Sequence, residues 1–310
     1  MSEPNIDTHH KRKSLASQFS RLLPAEAVLI SEEDLRPYEC DGLSAYHRLP
    51  LMVVLPETIE QVQAVLRLCQ RENVPVVARG AGTGLSGGAL PIDNGVLLSL
   101  AKFNRILDID PVNRTARVEP GVRNLAISEA VAPHGLFYAP DPSSQIACTI
   151  GGNVAENSGG VHCLKYGLTV HNVLQVKLLT IEGEALTLGG SGLDAPGYDL
   201  LALMNGSEGM LGIITEITVR LLPRPQQTRV IMAAFDDIPQ AGEAVGAIIA
   251  AGIVPAGLEM MDNPAIRAAE AFVHAGYPED AAAILLCELD GTEEEVNEQS
   301  SQVEQLLHPV

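Results

Sequence analysis

A chain of 310 residues, of which 46% are hydrophobic, is long enough to bury a large core and to form two domains. Its formal charge of −19 comes from 20 basic and 39 acidic side chains. Such a charge opposes binding to nucleic acid or to an anionic membrane, because long-range repulsion slows and weakens association. The composition therefore predicts an ordered globular protein that does not bind nucleic acid.

The cysteines and the N-terminus restrict the location of the protein. The five cysteines are scattered and contain no C-x-x-C pair, which argues against a disulfide framework or a zinc site and favours a cytoplasmic protein. The first 28 residues lack the continuous apolar core of a signal peptide, and no stretch reaches the ~18 to 20 apolar residues of a membrane span. We expect no transmembrane segment, an N-terminal segment over residues 1–46, and a solvated tail at His9, His10 and residues 11–13.

The first regular elements predicted along the chain form an α/β unit. Residues 51–79 predict a strand, a helix that begins after the N-cap Thr58, and a second strand. Residues 95–121 predict a strand and then two strands at Ile106–Ile109 and Thr115–Val118, and residues 122–135 predict a helix that ends at Pro133 and Gly135.

Loops, a hairpin and a second domain follow. Residues 138–160 are rich in Pro, Ser, Gly and Asn and predict a long loop, which is uncommon unless it has a function. Residues 172–190 predict a hairpin with Glu182–Gly183 at its tip, and residues 212–225 predict a strand. From residue 228, strands and helices alternate three times, which predicts a second α/β domain beyond a boundary near residues 223–227.

The stretch "RGAGTGLSGG", residues 79–88, contains the G-x-G-x-x-G spacing of a dinucleotide-binding turn. An NAD site of that type needs a helix that begins at the glycines, but Pro91 and the Asp93–Gly95 turn leave no room for one. No Lys-Ser/Thr pair follows, so a phosphate-binding P-loop is also disfavoured. A glycine-rich loop between two strands can instead turn successive N–H groups toward a diphosphate, and a simple chain-reversing turn is the structural alternative.

The second candidate segment is "PDPSSQIACTIGGNVAENSGG", residues 140–160. Its glycines clear space, and Ser143, Ser144, Thr149, Asn153 and Asn157 supply neutral donors and acceptors that suit a flat, polar-edged ring. A surface loop rich in turn-forming residues is the alternative interpretation. Two such segments in one domain predict a long ligand.

Together with "VHCLKYG" at residue 161 and "GSEGMLGIITEITVRLLP" at residue 206, these motifs give the chain a family resemblance. It resembles the FAD-binding flavoproteins of the vanillyl-alcohol oxidase/p-cresol methylhydroxylase (PCMH) type. Within them it is most similar to the large flavoprotein subunits of the glycolate oxidase (glycolate dehydrogenase) group, near the D-lactate and D-2-hydroxyglutarate dehydrogenases. The resemblance runs from about residue 39 to residue 290.

The resemblance implies an α+β fold. A two-subdomain FAD-binding PCMH-type domain would occupy residues 47–226. An incomplete, ferredoxin-like α/β substrate or cap domain, the N-terminal part of an FAD-linked oxidase C-terminal domain, would occupy residues 228–310.

The resemblance also implies which residues bind FAD. The first loop would hold the pyrophosphate, the second would run along the ribityl chain and the isoalloxazine, and residues 208–213 would lie by the adenosine. The implied FAD-binding residues are Gly80, Ala81, Gly82, Thr83, Gly84, Leu85, Ser86, Asp141, Pro142, Ser143, Cys148, Thr149, Gly151, Gly152, Asn153, Asn157, Gly159, Gly160, Glu208, Gly212 and Ile213.

The mode of FAD attachment also follows from the resemblance. Some relatives attach FAD covalently through a histidine of the first loop, where this chain has Thr83, so noncovalent FAD is expected. His162 and Cys163 are alternative attachment points or residues packed beside the cofactor. His171 is expected to be a core histidine.

The implied reaction is oxidation of a small 2-hydroxy acid, glycolate or D-lactate, to the 2-oxo acid by hydride transfer to flavin N5. The implied partners are a second FAD-domain subunit and an iron-sulfur subunit, through which the protein would lie peripherally at the inner membrane. The resemblance implies that the catalytic residues and metal ligands come from the C-terminal part of the second domain, which is expected beyond Val310. The lone His308 has no partner at metal-ligand spacing. A catalytically silent FAD-binding module acting in complex assembly is the alternative.

Overall fold

The computed structural model describes residues 6–190, 192 and 197–307, with the backbone alone for residues 6–10. His308 lies outside the described residues. The described chain divides into two compact units. Unit 1 comprises the described residues of Met1–Tyr138, Ser143–Ser158 and Thr169–Leu222, and unit 2 comprises those of Ala139–Pro142, Gly159–Leu168 and Pro223–Val310.

The first sheet of unit 1 has the strand order β1-β2-β4-β3, in which β2 and β3 run parallel to β4 and β1 runs antiparallel to β2. The predicted strand-helix-strand unit is confirmed: the helix α3 begins after Thr58, whose side chain forms a capping box with Gln61. The elements of this first part of unit 1 are α1 (Ile6–Phe19), β1 (Val28–Leu29), α2 (Glu32–Leu35), β2 (Met52–Val54), α3 (Ile59–Arg71), β3 (Val76–Arg79) and β4 (Val96–Ser99), with 3-10 turns at Ala25–Ala27 and Arg36–Tyr38.

The expected tail is wrong, because residues 11–13 lie within the helix α1, although its two lysines are solvated as predicted. Leu15 and Phe19 of that helix are buried against the core under the first sheet, so apolar burial fixes it to the unit. Lys11 and Lys13 are exposed on its surface.

The second sheet of unit 1 is antiparallel, in the strand order β5-β6-β10-β8-β9. The predicted hairpin is confirmed, with Gly183 at φ +76° at its tip. The remaining elements of this part are β5 (Ile106–Asp110), β6 (Thr115–Val118), α4 (Asn124–Val131) with a 3-10 turn at Ala132–His134, β7 (Leu136–Phe137), α5 (Ile150–Glu156), α6 (Cys163–Tyr166, in unit 2), α7 (Thr169–Asn172), β8 (Val173–Leu179), β9 (Ala185–Gly189), α8 (Leu200–Met204), β10 (Ile213–Arg220) and β11 (Leu222–Pro223), which pairs with β7.

Two local expectations for this region are wrong. Residues 150–156 form the helix α5 within the predicted loop, because Ile150 and Val154 are buried on the core side and outweigh the low helix propensity of Gly151 and Gly152. His171 lies in the short helix α7 and is exposed, so it is not the expected core histidine.

Unit 2 contains a three-stranded antiparallel sheet in the order β12-β14-β13, and its predicted strands and helices are confirmed. Because β12 and β13 both run antiparallel to the strand between them, they form a split β-α-β unit of the ferredoxin-like kind. Residues of α9 and α11 pack on one face of the sheet. The elements are β12 (Gln227–Phe235), α9 (Ile238–Ala250), β13 (Gly257–Asp262), α10 (Asn263–Val273), β14 (Ala283–Gly291) and α11 (Glu293–Leu307).

Candidate functional site

A cavity of about 490 Å³ lies within unit 1, in the size range of small-molecule sites. Three segments supply most of its lining: the glycine-rich loop after β3, the segment 143–158 and the segment 207–214. The candidate residues that line it are Gly80, Ala81, Gly82, Thr83, Gly84, Leu85, Ser86, Ser143, Cys148, Thr149, Gly151, Gly152, Asn153, Glu208, Gly212 and Ile213. The structure thus brings together segments far apart in the chain.

The remaining five candidates are not among the described residues that line the cavity. Asp141, Pro142, Gly159 and Gly160 belong to unit 2. Asn157 lies in unit 1 at φ +51° at the end of α5, where its Oδ1 accepts a hydrogen bond from the Val170 N–H at 3.0 Å. Their role in binding FAD stays a prediction that the cavity does not support.

The glycine-rich loop begins where β3 ends and forms no helix, as the sequence predicts. A Cβ at Gly80 would clash with the Thr149 hydroxyl oxygen, so only glycine lets the two segments approach this closely. The buried guanidinium of Arg79 donates to the carbonyl oxygens of Cys40 at 2.7 Å and Ala89 at 3.3 Å. The Arg79 side chain therefore fixes the start of the loop through the two backbone carbonyls to which it donates.

Thr149 is the N-cap residue of α5, but its side chain makes no capping hydrogen bond. Only 7% of the residue is exposed, and its Oγ1 atom is buried without a hydrogen-bond partner among the described residues. Burying an unsatisfied hydroxyl costs free energy, and Thr149 lines the cavity. The Thr149 hydroxyl is therefore left without a hydrogen-bond partner in the wall of the cavity.

A buried amide network holds this wall of the cavity. Asn153, 2% exposed, accepts a hydrogen bond from the Asn124 Nδ2 atom at 3.0 Å. Its own Nδ2 donates to Cys148 Sγ at 3.4 Å and to Ser158 Oγ at 3.3 Å. Because these groups are out of water, each bond fixes a side chain that lines the cavity or stands directly behind it.

The third segment is tied to α5 by its backbone. The N–H groups of Gly206 and Glu208 donate to the carbonyl oxygens of Val154 and Ala155, both at 2.8 Å. Glu208 adopts φ +52°, which is uncommon for a residue other than glycine. Across the cavity wall, Ser86 Oγ donates to Glu156 Oε2 at 2.9 Å. Glu156 and Glu208 are thus carboxylates in a lining otherwise dominated by neutral groups.

Sequence reasoning missed several residues of the cavity and its support. Helical spacing from Thr149 would have placed Glu156 on the wall, had α5 been predicted. The burial of Asn124 has no sequence signal, since an asparagine at a helix start is usually a surface cap. The lining residues outside the segments predicted from the sequence are Ala78, Ala89, Leu100, Pro120, Ser207 and Ile214, and those inside these segments but not named individually as FAD-binding residues are Arg79, Gly88, Ala155, Glu156, Ser158 and Gly209.

His162 and Cys163 also do not line the cavity as the structure describes it. Both belong to unit 2, where His162 lies between two carboxylates, Asp141 and Glu288.

The described residues contain neither a cluster suited to a metal ion nor a helix suited to a membrane. No group of three or more His, Cys, Asp or Glu side chains in this part of the chain is arranged to hold a metal ion. Within the same part, every helix is too short or too polar to cross a bilayer.

The sequence matches two protein families. Residues 50–189 match the FAD binding domain, and residues 224–309 match the C-terminal domain of FAD linked oxidases. Both matches lie outside the N-terminal segment, and together they cover most of the chain.

Named proteins are similar to the chain over nearly its whole length. It is 64% identical over 98% of its length to the glycolate oxidase subunit GlcD of Escherichia coli K12 and 34% identical over 93% to the D-lactate dehydrogenase of Anaerostipes hadrus. It spans 60% and 63% of the lengths of those two relatives.

A solved structure supports the fold. The crystal structure of p-cresol methylhydroxylase with substrate bound superposes with a TM-score of 0.78 at 21% identity, over 98% of this chain and 65% of that one. The chain therefore belongs to the FAD-linked oxidases with a PCMH-type FAD-binding domain, and its cofactor is FAD.

Proposed function

We propose that this chain is the flavin-binding part of an FAD-dependent dehydrogenase of small 2-hydroxy acids, glycolate or D-lactate. The observation that carries the proposal is the cavity in which two glycine-rich segments meet, in a chain 64% identical to a glycolate oxidase subunit. The similarity to a D-lactate dehydrogenase supports the same class of substrate.

The lining of the cavity fits FAD. The glycine-rich loop leaves its backbone open to a diphosphate, and the unpartnered Thr149 hydroxyl provides a polar contact. The carboxylates of Glu156 and Glu208 suit the hydroxyl groups of the cofactor's sugars, which donate hydrogen bonds. In this proposal the binding residues are those named from the sequence that line the cavity, and the attachment is noncovalent because Thr83 stands in the loop.

The chemistry that FAD would supply when bound is hydride acceptance. The hydroxy acid would lose a hydride from C2 and its hydroxyl proton to a base, which gives the 2-oxo acid. The residues of this chain hold the cofactor, and the apolar side chains of Leu100, Ile213 and Ile214 exclude water from the cavity lining. The base and the groups that hold the substrate carboxylate are not assigned to residues of this chain.

We further propose that electrons leave the flavin through partner subunits. A second FAD-domain subunit and an iron-sulfur subunit are the proposed partners, and they would keep the cytoplasmic protein at the inner membrane. Support comes from the name of the E. coli relative, which is called a subunit.

The alternative function is an FAD-binding module without catalysis, acting in assembly of a complex. It is favoured by the charges of the cavity. Among the described lining residues, Arg79 is the one cation, and its guanidinium donates to two backbone carbonyls. A substrate carboxylate would therefore find no unengaged cation among the described residues that line the cavity.

A flavin titration separates these functions. The purified protein is first titrated with FAD, and the complex is then mixed anaerobically with glycolate or D-lactate while the visible flavin absorbance is recorded. Bleaching supports the dehydrogenase, whereas absorbance that is retained with FAD bound, also after the proposed partner subunits are added, supports the module. Failure to bind FAD would overturn both.

A further inference from the structure

A cluster of ionisable side chains lies within unit 2, outside the cavity. We call it the charged cluster. It joins three pieces of chain: the segment 139–142, the segment 159–168 and the strand β14. Its members are Asp141, His162, Lys165, Tyr166, Glu288 and Asp290.

The two segments of this cluster flank the stretch that lines the cavity. Residues 143–158 leave unit 2 after Pro142 and the chain returns to unit 2 at Gly159. His162 Nδ1 lies 2.6 Å from Asp141 Oδ2, and the His162 N–H donates to Asp141 Oδ1 at 3.3 Å. The ion pair thus closes the base of the loop that carries Ser143, Cys148, Thr149 and Asn153.

Backbone packing at the base of the loop is equally close. A Cβ at Gly160 would overlap both the carboxylate and the carbonyl oxygen of Asp141. Only a residue without a side chain lets the returning chain lie against Asp141 at this point.

The central strand of the unit 2 sheet anchors the closed base. His162 Nε2 lies 3.3 Å from Glu288 Oε1. The ammonium of Lys165 pairs with the Asp290 carboxylate and donates to the Asp290 carbonyl at 2.6 Å, while the Tyr166 hydroxyl donates to Asp290 Oδ2 at 2.5 Å. Because β14 is paired on both edges, its side chains offer fixed positions.

We propose that His162 is a positioning residue for FAD binding, which pre-forms the cavity-lining loop 143–158 by joining its two ends through Asp141 and by holding them on β14 through Glu288. The inference rests on the proposed FAD site and adds a residue that does not line the cavity. A loop whose ends are already held loses less conformational entropy when it binds a ligand.

The charge of His162 makes the proposal testable by pH. The hydrogen bond to Asp141, and to a smaller extent the contact with Glu288, raise the pKa of His162 to about 9 against the opposing effect of burial. The imidazole then carries a proton on each nitrogen at neutral pH. The ionisable groups that face or adjoin the imidazole are Asp141 on the segment 139–142, Glu288 and Asp290 on β14, and Cys163, Lys165 and Tyr166 on α6. Burial, and after it the contact with Asp290, raise the pKa of Tyr166, so its hydroxyl stays neutral.

The sign of the pH effect follows from the raised pKa. The contribution of His162 is complete below the unfolded pKa of 6.5 and is lost as pH rises through about 9. FAD affinity of the wild-type protein is therefore expected to fall as pH rises through about 9. The comparison is made with a variant that lacks the imidazole, so that the effect of His162 is separated from general effects of pH.

The experiment measures the FAD dissociation constant against pH for the wild type and for His162→Gln, Glu288→Gln and the control His134→Gln, which changes an exposed histidine. Removing His162 should weaken FAD binding about tenfold at pH 7 and abolish the step near pH 9. Glu288→Gln should keep the step but move it to lower pH, and His134→Gln should match the wild type. A step near pH 9 that persists in His162→Gln would overturn the proposal.

Amide hydrogen exchange of the FAD-free proteins provides a readout that does not depend on FAD. His162→Gln should speed exchange within residues 143–158, and His134→Gln should not. If exchange in that segment is unchanged, the proposal is wrong even where FAD affinity changes. If the wild type binds no FAD but exchange responds as expected, the proposed function fails while His162 is supported as the residue that orders this loop.

Discussion

The cavity of unit 1 and the charged cluster of unit 2 use opposite chemistry. The cavity has glycines, hydroxyls and amides, with one unsatisfied hydroxyl at Thr149, whereas the cluster pairs its cations His162 and Lys165 with three carboxylates. A surface that binds a ligand has polar groups without a protein partner, which lowers the stability of the protein. A surface that holds two parts of the chain together satisfies its polar groups within the protein. Substitutions in the two regions should therefore affect different measurements.

The largest effect is expected in the charged cluster, from Asp290→Ala. Asp290 is only 5% exposed and accepts hydrogen bonds from Lys165 and Tyr166, so its removal leaves a cation with no buried counterion. We expect the free energy of unfolding of unit 2, measured by urea denaturation, to fall by about 3 kcal/mol.

The control for Asp290→Ala is Glu57→Ala, since Glu57 pairs with Lys102 where both side chains are 54% exposed. That exposed pair should contribute below about 1 kcal/mol. Equal effects of the two substitutions would contradict the distinction between a buried anchor and a surface pair.

Gly80→Val should act on ligand binding. The added side chain would meet the Thr149 hydroxyl and force the first loop away from α5, and overpacking of this kind costs about 1–3 kcal/mol. FAD affinity, measured by quenching of flavin fluorescence, should fall up to about 100-fold.

A matched control is Gly242→Ala in the helix α9, where an added Cβ meets nothing within 4 Å. It should leave FAD affinity unchanged and stabilise the protein by about 0.5–1 kcal/mol. Normal FAD binding by Gly80→Val would mean that the close approach of the loop to α5 is not needed.

The third substitution, Asn124→Ala, tests the support of the cavity and not its lining. It leaves Asn153 Oδ1 buried without the donor at 3.0 Å, which should cost about 1–3 kcal/mol of unfolding free energy. FAD affinity should also fall, because Asn153 loses its fixed orientation. Asn113→Ala, in an exposed turn, is the control, and an equal loss in both variants would argue against the buried network.

The range of the interactions decides what the sequence could predict. The helix α3 follows from local signals, Thr58 and Gln61 at its start and apolar residues at helical spacing. The strands and helices of unit 2 likewise follow from short-range alternation. The order of its strands does not, since β14 inserts between β12 and β13 only in three dimensions.

The candidate site divides in the same way. Glycine-rich composition identifies both loops, because a close approach of two backbones requires glycine and glycines can be read directly from the sequence. The partners of Asp290 are 124 and 125 positions away, and no local pattern connects them to it. The same applies to α5, whose helical state depends on burial of Ile150 and Val154 against residues distant in the chain.

The smallest effect is expected from Thr149→Val. This substitution tests whether the unpaired Thr149 hydroxyl serves a ligand. Valine has the same shape but lacks the hydroxyl, whose Oγ1 is buried without a partner in the described structure. The FAD-free protein should therefore become more stable by about 1 kcal/mol, while FAD affinity should fall about fivefold. Thr149→Ser keeps the hydroxyl and should retain FAD affinity. Opposite signs for stability and affinity would identify Thr149 as a group held unsatisfied for a ligand, whereas a fall in both would make it an ordinary packing residue.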